Sequence, residues 1–170
     1  VVFKMTPSGV VTELFSFYGA NKGSSLYGGL AQGNDDNFYG TTMLGGSGSD
    51  GTIFKMSPAG GVSTLIPFDG TNGQNPMAGL VMGKNGNFYG TTSGGFDGAA
   101  GTLFKVTPGG VLTNLVSFNG TNGANPYAGL VQGNDGNFYG TTYAGGLYNY
   151  GTIFQLTIPT TDAPIFNPAP

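Results

Sequence analysis

Three eight-residue segments, 43–50, 93–100 and 143–150, carry many of the side chains that could contact a ligand. The first ends in Asp50, the second holds Phe96 and Asp97, and the third holds Tyr143, Tyr148 and Tyr150. Two further segments, 69–75 and 119–125, are rich in Asn and contribute Asn72, Asn75, Asn122 and Asn125. Aromatic faces beside amide and hydroxyl groups suit sugars, whose rings offer an apolar face and a rim of hydroxyls. These ten positions form the candidate ligand-binding set. The same residues have a plainer reading, in which Asn and Gly serve turn geometry and the Tyr rings cap the sheets.

Other chemistries are narrower. The acidic residues are Glu13, Asp35, Asp36, Asp50, Asp69, Asp97, Asp135 and Asp162. A glycosidase needs two carboxyls facing each other across a bond. Asp50, Asp69 and Asp97 could share one end of the molecule, so a hydrolase or lyase stays open as an alternative. Each of them nevertheless sits in a Gly-flanked turn, where Asp is common for backbone reasons. No catalytic residue is assigned. The chain has no Cys and no His, which removes thiol nucleophiles, disulfides, Ser-His-Asp triads and the usual zinc sites. The segments 34–37 and 134–137 offer oxygen ligands of the hardness calcium prefers, but Lys84-Asn85 interrupts the series, so no metal or other cofactor is expected. Five Lys, no Arg and a net charge of −3 give no basic patch for nucleic acid. No apolar run approaches the roughly 20 residues that span a bilayer as a helix.

The frame that must hold these loops is a repeat. Phe-Tyr-Gly-Thr-Thr begins at Phe38, Phe88 and Phe138, and Gly-Thr-(Ile/Leu)-Phe begins at Gly51, Gly101 and Gly151, each spaced by 50 residues. Each unit holds four short apolar segments, typified by A at 77–83, B at 87–92, C at 101–107 and D at 111–118. All are bounded by Gly, Pro or Asn, which are strand signals. Asn85-Gly86 and Asp135-Gly136 predict two-residue type I′ hairpins between A and B. Pro7-Ser8-Gly9, Pro58-Ala59-Gly60-Gly61 and Pro108-Gly109-Gly110 predict tight turns between C and D. Lys4, Lys55 and Lys105 recur on C, with Gln155 in the fourth copy, and read as solvated or edge-protecting residues.

Four antiparallel strands per unit of about 50 residues describe a propeller blade. The expected fold is all-β, a β-propeller-like tandem repeat of four-stranded antiparallel blades. Residues 1–158 form the repeat region, with units at about 1–50, 51–100 and 101–150 and a final strand at 151–157. Residues 159–170 are expected to be a Pro/Thr-rich linker. Joining the first C–D pair to the last A–B pair gives three blades, too few to close a ring of the usual 4–8. The expectation is therefore a homodimer closing six blades, or a piece of a longer array. The opening Val1-Val2-Phe3-Lys4 reads as the middle of a strand, which favours a start further upstream. In such a fold the B–C and D–A loops share one face, and the ten candidate positions lie on it.

The motifs at 51–58, 75–81 and 86–92 resemble the GloVer tandem repeat, over roughly residues 1–157. The resemblance implies an extracellular or cell-surface bacterial repeat protein of propeller-like fold, and it brings no established catalytic residues. The tail at 161–170 is similar to the opening of chitobiase C-terminal-like domains. The leading functional expectation is a non-catalytic module that binds glycan or another surface ligand on the long-loop face. The alternative is a purely structural spacer.

Overall fold

The computed structural model describes residues 1–95, 98–159 and 164–169. Four antiparallel sheets follow one another along the chain. The first has two strands, β1 (Val2–Met5) and β2 (Val11–Phe15). The second runs β3 (Ala31–Gln32), β4 (Phe38–Thr42), β5 (Thr52–Met56) and β6 (Val62–Pro67). The third repeats it as β7 (Val81–Met82), β8 (Phe88–Thr92), β9 (Thr102–Val106) and β10 (Leu112–Ser117). The fourth is β11 (Val131–Gln132), β12 (Phe138–Thr141), β13 (Ile153–Thr157) and β14 (Ile165–Pro168). Each sheet keeps the order of the chain. The B, C and D strands fall within the segments expected for them. The A strands are only two residues long, because the backbone before them faces the neighbouring sheet. A side chain at Gly28 or Gly79 would collide with the backbone of the other segment.

The hairpins differ from the type I′ expectation in one respect. A type I′ turn needs positive φ at both central residues, yet in residues 83–87 only Gly86 has it, at 78°. Gly86 N–H donates to Gly83 O, and Gly83 N–H donates to Asn87 O. This is a turn closed by one left-handed residue, the three-residue hairpin pattern. Asn85 holds it, its Oδ1 accepting from Asn87 N–H. The C–D turns use the same device, with Gly9, Gly60 and Gly110 at φ of 86°, 91° and 88°.

The core lies between sheets rather than within them. Val2 of β1 packs with Phe54 and Met56 of β5. Tyr39 and Ile53 of the second sheet pack with Phe88, Phe104 and Val106 of the third. Tyr89 and Leu103 of the third pack with Phe138, Phe154 and Leu156 of the fourth. The Tyr39 and Phe88 ring centroids are 4.1 Å apart, and Tyr89 and Phe138 repeat that distance. The Tyr of one Phe-Tyr-Gly-Thr-Thr thus stacks on the Phe of the next.

Ile165–Pro168, expected within a linker, lies along β13 as a fourth strand. Phe166 sits 5.2 Å from Phe154 and 5.7 Å from Phe118, centroid to centroid. Pro168 is tolerated because β14 is the outer strand and needs no donor on its free side. The described residues accordingly form three four-stranded sheets and one two-stranded sheet. A hybrid sheet built in trans from β1–β2 and β11–β12 would have to displace β13 and β14, which already extend β12.

Candidate functional site

The antiparallel order puts all A–B and C–D turns at one end of the sheets and all B–C and D–A connections at the other. At the latter end each B–C pair is clamped by two buried threonines. The Oγ1 atoms are 2.9 Å apart in Thr42–Thr52, 2.7 Å in Thr92–Thr102 and 3.0 Å in Thr142–Thr152. The D–A loop descends onto this clamp. At Gly73, with φ of 121°, a methyl group would meet Thr92 at 2.8 Å, so the approach requires glycine.

The asparagines of these loops have defined structural partners. Asn72 Oδ1 accepts from Asp69 N–H at 3.1 Å, and its Nδ2 donates to Pro67 O at 3.1 Å. Asn122 repeats both bonds with Asn119 N–H and Ser117 O. Asn75 and Asn125 adopt φ of 52° and 53°, a left-handed region that Asn tolerates. Their Nδ2 groups donate to Met43 O and Ser93 O, each in the B–C loop of the preceding sheet, at 3.2 Å. Asp50 is half-buried, and its carbonyl accepts from Asn75 N–H at 2.7 Å. Phe96 and Asp97 lie outside the described residues.

The tyrosines are different. Tyr143, Tyr148 and Tyr150 are 72%, 75% and 91% exposed. Tyr127, which the sequence reading passed over, stands 5.4 Å from Tyr143, centroid to centroid. Its signal was the aromatic residue after Pro126, but 16 residues separate it from Tyr143 and nothing in the repeat says that they meet. Thr121, Gly146, Leu147, Pro168 and Ala169, the third of them next in sequence to Tyr148, line a groove of about 470 Å³. A second groove, of about 380 Å³, runs along Tyr150, Thr141, Thr152 and Ala169. Residues of the last sheet thus combine ring faces, hydroxyl groups and shallow concave surface at the long-loop end.

At the opposite end, Asp35 joins Tyr39 and Lys55. Lys55 Nζ and the Tyr39 hydroxyl both lie 2.8 Å from Asp35 Oδ2. Lys55, first read as a solvated edge residue, is thus an ion-pair partner. In the next repeat Asn85 Nδ2 donates to the Tyr89 hydroxyl, and in the last the Tyr139 hydroxyl donates to Asp135. Lys55 and then Tyr39 hold the Asp35 carboxyl well below its ordinary value of 3.8. Tyr139 and Asn137 lower Asp135, and Thr71 lowers Asp69. A carboxyl with a depressed folded-state pKa adds stability above its unfolded value and loses it as pH falls through the folded one. The melting temperature should therefore stay level on the acid side down to about pH 4 and drop below it. Asp35→Asn should flatten part of that drop in scanning calorimetry from pH 7 to pH 2. An identical acid limb in the variant would show that the Lys55 pair is irrelevant to it. Among the described residues no group of three or more acidic, His or Cys side chains could hold a metal ion.

A family model for the Gloeobacter/Verrucomicrobia repeat matches residues 1–166. The chain belongs to that family. The match agrees with the resemblance carried by the 51–58, 75–81 and 86–92 motifs, and it runs into β14. No curated protein matches the chain. A similar solved structure is an X-ray structure of a protein provisionally named a gluconolactonase, with a TM-score of 0.56 at 12% identity. The alignment covers 82% of this chain and 48% of the other, so the chain spans about half the length of that neighbour. At this identity the likeness speaks for the fold alone. Among the described residues no helix is long and apolar enough to cross a membrane.

Proposed function

We propose that this repeat module is part of an extracellular β-propeller, its sheets serving as consecutive blades, and that it binds glycan without catalysis. The observation that supports this reading is the exposed pair Tyr127 and Tyr143, 5.4 Å apart, in the long-loop connections of the last sheet, whose B–C loop also exposes Tyr148 and Tyr150. A sugar ring laid on Tyr143 would stack its apolar face on the aromatic ring, while phenol hydroxyls meet its polar rim. The asparagines first grouped with the tyrosines act here as scaffold, since their amides already bridge loop to strand and sheet to sheet.

The test is a polysaccharide and glycan-array screen, followed by titration of the best ligand. Tyr127→Ala/Tyr143→Ala should weaken binding about tenfold, or roughly 1.4 kcal/mol. Stability should change by less than about 0.5 kcal/mol, because surface substitutions away from structural contacts are usually that mild. No retained glycan, or retention indifferent to both substitutions, would leave the spacer role. Release of reducing sugar during the screen would point to catalysis instead.

A further inference from the structure

Asn-Gly dipeptides begin at Asn72, Asn85, Asn119 and Asn122. Asn is thermolabile, and a following Gly leaves its own backbone nitrogen unhindered for attack on the Asn side-chain carbon. The structure separates these positions. Gly73 and Gly123 are buried against the threonine clamps, and Asn72 and Asn122 use Nδ2 to donate to Pro67 O and Ser117 O at 3.1 Å. An aspartate there would set oxygen against oxygen. Asn119 is exposed, but its Oδ1 accepts from Thr121 N–H, the Thr121 hydroxyl and Asn122 N–H at 3.1, 2.8 and 3.2 Å, which fixes its side chain. Asn85 is exposed too, and its Oδ1 accepts one bond only, from Asn87 N–H at 3.2 Å. The other repeats hold an acid at this place. Asp35 and Asp135 align with Asn85, and each Oδ1 accepts from the N–H two residues on, at 3.3 and 3.1 Å. The hydroxyls of Tyr39 and Tyr139 donate to them at 2.8 and 2.6 Å. The Tyr89 hydroxyl instead accepts from Asn85 Nδ2 at 2.9 Å, a role that a phenol can reverse. Lys105 stands opposite Tyr89 on β9 as Lys55 stands opposite Tyr39 on β5. Lys55 binds Asp35 at 2.8 Å, which is the only ion pair among the described residues. The third sheet thus has the cation of this arrangement without its anion.

We propose that Asn85 is a self-modifying site, which deamidates to an aspartate that pairs with Lys105. Once the Gly86 N–H leaves Gly83 O, the Gly86 nitrogen attacks Asn85 Cγ and gives its proton to solvent base. The Cγ–Nδ2 bond breaks, and Nδ2 takes up a proton and departs as ammonia. Water then opens the cyclic imide. Addition at Cγ breaks the bond from Cγ to the Gly86 nitrogen, which restores the ordinary chain and leaves aspartate at position 85. In sum, carboxamide and water become carboxylate and ammonium. Gly86 has a φ of 78°, close to the 85° of Gly136 behind Asp135, so the product needs no new backbone conformation. The second repeat then carries the Asp–Tyr–Lys group of the first. The short-turn end of the third sheet exchanges a lone cation for an ion pair.

The experiment incubates the intact chain in mildly alkaline buffer and digests samples with trypsin over time, with an unincubated sample as the baseline. Cleavage after Lys55, Lys84 and Lys105 puts Asn72, Asn85 and the pair Asn119 and Asn122 on separate peptides, 56–84, 85–105 and 106–170. Conversion of amide to acid, read by mass, should run at least about tenfold faster in 85–105 than in 56–84, whose Gly73 must first be unburied. Chromatography against synthetic peptides should find ordinary aspartate among the products. Asn85→Asp should melt no lower than the parent protein, whereas Asn72→Asp should melt at least about 2–4 °C lower. The new carboxyl of Asn85→Asp, followed by carbon NMR, should titrate below the ordinary Asp value of about 3.9 and return toward it when Lys105→Gln is added. A peptide 85–105 that keeps its amide or converts no faster than 56–84 would overturn the proposal. So would isoaspartate as the sole product, a lower melting temperature in Asn85→Asp, or a carboxyl indifferent to Lys105→Gln.

Discussion

Phe104→Ala is expected to destabilise the protein by about 3–5 kcal/mol, the range for emptying a buried Phe site. The ring is fully buried in the seam between the second and third sheets, with Tyr39, Ile53, Leu80 and Phe88 in the same cluster. It lies 5.5 Å from Phe68, centroid to centroid, and its edge rests under Gly90. That last contact makes the prediction sharper than a single substitution allows. A methyl at Gly90 would stand 2.7 Å from Phe104 Cζ and 2.8 Å from Leu80 Cδ2. Gly90→Ala alone should thus cost about 1–3 kcal/mol through overpacking. Once Phe104 is Ala, the ring clash is gone and the end of Leu80 has vacated space to move into, so the cost should fall. The double variant should be less destabilised than the sum of the singles by about 1 kcal/mol or more, a coupling typical of residues in contact. Urea titration of the four proteins measures it. Additive losses would mean that the ring does not occupy the space beneath Gly90.

The same geometry explains which parts of the fold were legible. The 50-residue period, the B, C and D strands and the end of the molecule carrying long loops all follow from local sequence, because each strand segment is bounded by its own turn residues. What the repeat could not show is which copy touches which. Tyr39 stacks on Phe88 of the next repeat, and Asn75 reaches back to Met43 of the previous one. Period and spacing are the same whether such pairs form within a unit or between units. The asparagines were singled out for amide chemistry, and the amides are indeed at the long-loop end. The left-handed backbone of Asn75 and Asn125 and their bridging bonds become visible only with coordinates. Asn85-Gly86 gave a hairpin but not its type, since dipeptide preference cannot tell that Gly86 alone turns left-handed.

The tail shows the opposite error, in which composition hid a strand. Pro164, Pro168 and Pro170 around Ile165-Phe166-Asn167 read as a linker, yet an outer strand needs hydrogen-bond donors on one edge only. Ending the chain at Pro159 should therefore remove more than a linker. Phe118 and Phe154, both at most 1% exposed, would lose the Phe166 ring that packs on them. The ladder that joins Phe154–Thr157 to Ile165–Pro168 would go with it. Losing one large half-buried ring and a strand's pairing should cost about 2–4 kcal/mol. Phe166→Ala in the full chain should give the packing share alone. Hydrogen exchange should place the loss in β13 rather than in β5, because the cores lie between adjacent sheets and the second sheet touches neither residue. Pro168 and Ala169 also wall the groove beside Leu147, so truncation should weaken glycan binding together with stability, whereas Tyr127→Ala/Tyr143→Ala should weaken binding alone. A truncated chain with an unchanged urea midpoint and unchanged exchange at β13 would return residues 165–168 to the role of a linker.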